Sequence, residues 1–392
     1  MANVVIRAVV IAALTVAVAA CTNSPDSGSN PTSAAASIAE AAPTTRKTCE
    51  VAVPAAWQKA IDTGSVRTGG VSNVPMVVDR AGEVAVARDN GDTRDVLLIG
   101  ADKSVNEIYA VPEPNRNWVG SVAMDDRWVV VGVEYAPRGA NGINPTLMRI
   151  DVVDRQGGPV RTVVESPMED RTSGGKTIDS FALFGGKVYW ITRDTYASDT
   201  GTIRSYDLNT GAVTDVASGD MRNVRTTAAG LSWEVAWDQN TGTRAELKIP
   251  DALPPPVAGA LGTGRDQLTL ATDGTAYAWF TQNDQGQPGL AYWSPTTGLV
   301  RITGTIPEEG KFAPTPLYVV GPFAVIDRGR QDDKHDTYAT VVDARSGALT
   351  YLRPTVGGAN GGTIAVGIGA TLKDLPTSAG VLRVDALPPL SC

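Results

Sequence analysis

Seven stretches of this chain repeat one pattern: an apolar run, a turn of Gly or Asp, then a strand whose large residues alternate. They are RAGEVAVA from residue 80, MDDRWVVV from 124, FGGKVYWI from 184, AAGLSWEV from 228, TDGTAYAW from 272, VVGPFAVI from 319 and ANGGTIAV from 359. Alternation with period two marks strands with one face turned to a core. Measured between Gly82, Asp126, Gly186, Gly230, Gly274, Gly321 and Gly362, the spacings are about 44, 60, 44, 44, 47 and 41 residues. That is the period of a four-stranded propeller blade. The long interval holds a polar insertion at 165–179.

A second turn follows each anchor by about 25 residues, plainest in YDLNTGAV at 206, WSPTTGLV at 293 and VDARSGAL at 342. Polar residues closed by Gly make hairpin turns, because Gly adopts the positive φ that they need. The fourth and seventh periods carry PDALPPP at 250 and VDALPPL at 384 as variants. Two hairpin turns per period mean four strands per period, so the chain is read as all-β, a seven-bladed β-propeller of four-stranded antiparallel blades. The seventh period runs out after VLRVDA at 381–386, and an unpaired edge invites aggregation. CEVAVP at 49–54 is therefore assigned as an N-terminal strand completing the last blade, which sets Cys49 beside Cys392 as a disulfide pair. PAAWQKAIDTG at 54–64 reads as a short helix, begun by Pro and ended by Gly.

The first residues, MANVVIRAVVIAALTVAVAAC, place one positive charge before a short apolar run that ends in small residues and Cys21. The run is too short for a membrane span and has the layout of an export signal. An ordinary signal cut at an A-x-A site is the plainer reading. A cysteine placed there is what lipid acylation requires, so residues 1–20 are expected to be a lipoprotein signal peptide and Cys21 the acylated residue. Residues 21–48 are rich in Ser, Ala, Pro and Thr and bury too little to offset ordering, so they are expected to be a disordered tether, with the propeller spanning 49–392. The location implied is the extracytoplasmic face of the cell membrane, reached through the lipid.

The formal net charge of -8 speaks against nucleic acid, which needs a basic footprint. The propeller is expected to be a monomer. Among 392 residues the one histidine is His335, in the hydrophilic stretch QDDKHDT. Nitrogen-based metal ligation and a Ser-His-Asp assembly therefore have little to draw on. The loops joining second to third strands should emerge on the face opposite both repeated turns, and they are longer and polar. An acidic residue recurs in six of them: Asp89, Glu134, Asp194, Asp238, Asp284 and Asp327. Carboxylates around a channel mouth suit Ca²⁺, which takes six to eight oxygens, or a cationic ligand. The plain alternative is that Asp starts turns. Trp128, Trp190, Trp233 and Trp279 follow the repeated turns and read as core, whereas Trp237 ends nearer the loop face and suits stacking on a ligand.

KVYWITRD followed by IRSYDLNTGAV, in the third period, resembles the YVTN-type repeat of bacterial surface propellers. The other six periods share the turn layout and not the letters, and in that layout the chain resembles bacterial propeller lipoproteins with YVTN-, WD40- or TolB-like repeats, a resemblance that implies the fold and leaves activity open. The primary reading is a lipid-anchored propeller at the cell surface, acting as a scaffold or binding a protein or carbohydrate at its loop face. The alternative is a Ca²⁺-dependent lactonase-like or carbohydrate-active hydrolase working through the carboxylate ring, since two acids suffice for glycoside hydrolysis. A quinone-cofactor redox propeller is the least favoured, its tryptophans being assigned to blade cores.

Overall fold

A computed structural model describes residues 42–392, apart from 136–146, 167–176, 195–197, 199, 228–229, 238–243, 249–252, 263–264, 283–287, 305–315, 332–336, 354 and 370–375. Within these limits it is an all-β propeller. The described strands form six hydrogen-bonded sheets, four or five strands wide except for one of six. The wide sheet exists because one strand, Val213–Thr227, pairs up to Asp220 with Thr200–Asp207 and from Met221 with Gly230–Trp237. Divided there, the strands fall into seven groups, one for each sequence period, and these are called blades 1 to 7.

Each blade is a meander from the axis outward. Ser72–Val78, Asn117–Met124, Thr177–Phe184, the second half of Val213–Thr227, Ala271–Thr272, Leu317–Val320 and Thr355–Asn360 are the inner strands. Most of them touch the next in chain order, and Thr355–Asn360 returns to Ser72–Val78, which closes the ring. Alternation sends one set of side chains to each neighbouring blade. Val129, Val131 and Val133 pack with blade 1, while Trp128, Val130 and Ile150 pack with blade 3. Trp128, Trp190 and Trp279 are all buried in such layers.

The repeated turns collect on one face and are capped by their own side chains. Asp125 accepts from the backbone N–H groups of Arg127 and Trp128, Asp273 from Thr275 and Ala276, and Asp207 from Asn209 and Thr210. The Thr210 and Asn209 N–H groups hold the Asp207 carboxyl below the usual carboxylate range. Gly211 then supplies a φ of 74°. Several turns also tie blades together: the second Asp273 oxygen accepts from Gly321 N at 2.8 Å, and the Tyr292 hydroxyl donates to Gly321 O at 2.8 Å.

Closure differs from the sequence expectation in one respect. The strand completing blade 7 is Ser65–Arg67, antiparallel to Ser378–Arg383, and not 49–54. Cys49–Glu50 instead adds a fifth strand, parallel to Ala348–Leu352, at the outer edge of blade 6. Helix α1, Ala55–Gly64, lies between the two strands and buries Trp57 and Ile61 against blades 6 and 7. The physical reason is reach and fit: the helix carries the chain from one blade edge to the next, and Gly64 meets Gly380 so closely that a Cβ on either would strike backbone. Cys49 is nonetheless bonded to Cys392, with Cα atoms 6.0 Å apart. The C-terminal segment is held over blade 6, where Leu390 N donates to Asp343 and Ser346 Oγ donates to Leu390 O.

Two further boundaries move. Thr44–Lys47, expected within the tether, is a strand parallel to Gly298–Thr303 at the edge of blade 5. The PDALPPP segment, expected to be a hairpin turn, leads instead into helix α2 at Pro255–Ala260, with Pro in its first turn, followed by helix α3 at Arg265–Leu268. Pro suits the start of a helix and cannot donate to a ladder. Among the described residues blade 4 therefore has three strands, and the two helices stand where its outer strand would be.

Candidate functional site

Inner strands run from the loop face toward the turn face, and five of the seven are bulged against their second strand. The register breaks fall between Pro75 and Val77, Val119 and Ser121, Ile178 and Phe181, Arg222 and Arg225, and Val356 and Gly358. A bulge bends a strand and re-aims its side chains. In blades 1, 2 and 7 the bulged residues are Met76, Gly120 and Gly357. In blades 3 and 4 they are Asp179, Ser180, Asn223 and Val224. Charged side chains on the described inner strands occur only in these two blades, as Asp179, Arg222 and Arg225.

The two bulges are joined. Ser180 Oγ accepts from Val224 N at 3.0 Å. Arg193, only 7% exposed, donates to Asp179 Oδ2 at 3.0 Å, to Ser198 O at 3.0 Å and to the carbonyl of Met221. One guanidinium therefore fixes an inner-strand carboxylate, a loop carbonyl and the start of the next blade's inner strand. Asn223, exposed between Arg222 and Val224, has φ 50°, a conformation that Asn accepts better than most residues.

Of the acidic residues singled out from the sequence, the described ones, Asp89, Glu134, Asp194 and Asp327, lie on separate blades. Asp89 pairs with Arg94 at 2.9 Å and accepts from Gly91 N at 2.7 Å. Burial pushes its carboxyl up, but the Gly91 N–H and the Arg94 guanidinium outweigh burial and leave it below the usual range. Arg94 also donates to Pro114 O and Asn117 O, so this pair positions the inner strand of blade 2. Glu134 accepts from the Trp118 indole at 3.0 Å and lies over Gly120, where a Cβ would strike it. Asp327 accepts from Val356 N at 3.4 Å, a link from blade 6 to blade 7. Asp194 is exposed just beyond Lys187–Arg193.

Asp238, Asp284 and His335 lie outside the described residues, and of Trp237 only the backbone is described, as the end of Gly230–Trp237 opposite Arg244. Among the described residues no group of three or more His, Cys, Asp or Glu is placed to hold a metal, and no helix is long and apolar enough to cross a membrane. The residues that the sequence reading missed are Asp179, Arg193, Asn223, Arg222, Arg225 and Glu234. A signal for Arg222, Asn223 and Arg225 was present in MRNVRTT at 221–227, an inner strand with two charges where its counterparts have none or one.

No protein-family model matches the sequence, and no curated protein is similar to it. Solved structures resemble the fold. An oligogalacturonate lyase from Vibrio parahaemolyticus has a TM-score of 0.48 at 12% identity, covering 81% of this chain and 93% of that one. The propeller domain of the Trilobed protease from Pyrococcus furiosus has a TM-score of 0.37 at 11% identity, covering 65% of this chain and 80% of that one. A streptogramin B lyase has a TM-score of 0.39 at 10% identity, covering 84% and 99%. At such identities the likeness concerns the propeller fold, and their activities are not carried over to this chain.

Proposed function

We propose that this chain is a lipid-anchored propeller of the extracytoplasmic face of the cell membrane that binds a protein or carbohydrate ligand on its loop face. The observation that carries this reading is the bond between Cys49 and Cys392. Disulfides that tie the two ends of a folded body persist in oxidising compartments. With these two cysteines paired, Cys21 is left for acylation behind the apolar run. The contrast between the two faces supports binding: the repeated turns are short and their Asp and Gly residues are spent on capping, while longer stretches of chain join second to third strands in most blades. Irregular loops on a rigid scaffold are where ligands usually bind.

Replacing Cys21 with Ala should move the protein from the membrane pellet to the soluble fraction. Unchanged fractionation would remove the anchor from the proposal. A photo-crosslinker at exposed Asp194, on the loop face, should give adducts in living cells, and one at exposed Asn209, on the turn face, should not. Equal adducts from both positions would overturn the assignment of the binding face.

A further inference from the structure

Between blades 4 and 5 the packing changes character. Leu231, Trp233 and Val235 turn toward blade 3, so the alternating residues Ser232 and Glu234 turn toward blade 5, and both are buried, at 0% and 4% exposure. Across the strand pair, Glu234 stands opposite Arg222 and Ser232 opposite Arg225. The other wall is formed by α2, α3 and blade 5, with Val257, Leu268, Leu270 and Trp279 packed together. Arg225 reaches that wall and donates Nη2–H to Leu268 O at 2.8 Å.

Two enclosed donors in this wedge lack acceptors: the Arg225 Nε–H and the indole N–H of Trp279, whose side chain is 0% exposed. A guanidinium carries five N–H donors and discharges its burial cost only when acceptors meet them. Burial lowers the Arg225 pKa, and the nearby Glu234 carboxylate opposes that shift. An enclosed donor left unmet costs about 1–3 kcal/mol, so such groups call for an acceptor from outside the chain. Exposed Asn223, in its left-handed bulge, interrupts the inner strand between the two arginines. Because Glu234 already places one negative charge beside the guanidinium, a singly charged oxyanion fits better than a dianion.

We infer that the wedge between blades 4 and 5 binds the carboxylate group of a small ligand, received by Arg225, with the Trp279 indole as a further donor on the opposite wall. This names a ligand class for the binding reading above, but it rests on the wedge alone, so the anchor and crosslinking experiments can fail without affecting it.

The test uses full-length protein in detergent, labelled with 5-fluorotryptophan, with the Trp279 ¹⁹F resonance assigned through Trp279→Phe. Sodium acetate and inorganic phosphate are titrated against chloride at constant ionic strength. The Trp279 resonance should shift saturably while the other tryptophan resonances stay in place, with acetate half-saturating at a concentration about tenfold below phosphate, near 1.4 kcal/mol of preference. Acetate should also raise the melting midpoint. Arg225→Met should abolish both responses, and because it leaves the buried Glu234 carboxylate without this partner its melting midpoint in chloride should fall below that of the natural protein. A silent Trp279 resonance with both anions would overturn the site and leave the guanidinium an internal strut satisfied by enclosed water. Phosphate saturating first would overturn the carboxylate assignment, and a uniform shift of all tryptophans would mean nonspecific binding. Should Arg225→Met fail to fold, the titrations of the unmutated protein decide the matter.

Discussion

The wall built by blades 6, 7 and 1 and the wall built by blades 3 and 4 come from the same repeat, yet they are held together by opposite means. In the first, the inner strands Leu317–Val320, Thr355–Asn360 and Ser72–Val78 carry no charged residue. Gly357, Gly358 and Gly361 bring the backbone of blade 7 against that of blade 1. A Cβ at Gly357 would strike the Pro75 carbonyl, and one at Gly361 would sit 3.0 Å from Arg80 Cα. The outer edges of blades 6 and 7 are formed by the N-terminal strands Cys49–Glu50 and Ser65–Arg67, and the disulfide fastens Cys392 to Cys49 there. In the second wall apolar packing is joined by side-chain hydrogen bonds through Arg193 and Ser180, and Arg225 on the far side of blade 4 keeps a donor unspent. One side of the ring is thus optimised for closure, while the other keeps polar capacity that closure does not use.

Breaking the closed side should have the larger effect. Replacing Cys49 and Cys392 together with Ser removes a crosslink that spans 343 residues, and loss of a native disulfide typically costs about 2–5 kcal/mol. Denaturant unfolding should register that loss, with hydrogen exchange rising first over residues 44–67 and 384–392. Exchange rising equally through blades 3 and 4 would erase the distinction between the walls.

Gly357→Ala comes next. The new methyl meets backbone that cannot rotate away, and overpacking of this kind costs about 1–3 kcal/mol. A melting midpoint equal to that of the natural protein would show that the approach of blades 7 and 1 is looser than its glycines imply.

The smallest effect belongs to the polar wall. Asn223→Gly relieves a left-handed residue at the expense of chain entropy, so stability should rise by no more than about 0.5–1 kcal/mol. A substantial loss would mean that the Asn223 side chain holds the bulge by itself.

Much of the fold was legible because its signals are local. An Asx or Gly turn is specified within four residues: Asp207 caps Asn209 and Thr210, and Gly211 adopts the positive φ, whatever the rest of the chain does. Period-two alternation likewise declares a strand and its two faces, as in Trp128–Tyr135. The closing strand was not legible. Ser65–Arg67 has three residues and no alternation, and it becomes a strand because blade 7 offers a free edge and two glycines let it dock. Nor could PDALPPP be told from the hairpin turns around it, since Pro-rich segments stop strands and begin helices alike.

The candidate site divides in the same way. Charges on an inner strand can be read from DMRNVRTT, but not the direction in which they turn, because a bulge resets the alternation that sequence reading depends on. Asp89, Glu134 and Asp194 recur at or beside the ends of second strands, and a repeat does not say which partner each carboxylate meets. Asp89 found Arg94, Glu134 found Trp118 and Asp327 found the Val356 amide. By itself the sequence determined the turns, the strands and their sevenfold recurrence, because those depend on interactions spanning a few residues. Tertiary structure alone decided which edge closes the ring, which strands bulge and which buried donors go unmet, because each depends on groups brought together from hundreds of residues apart.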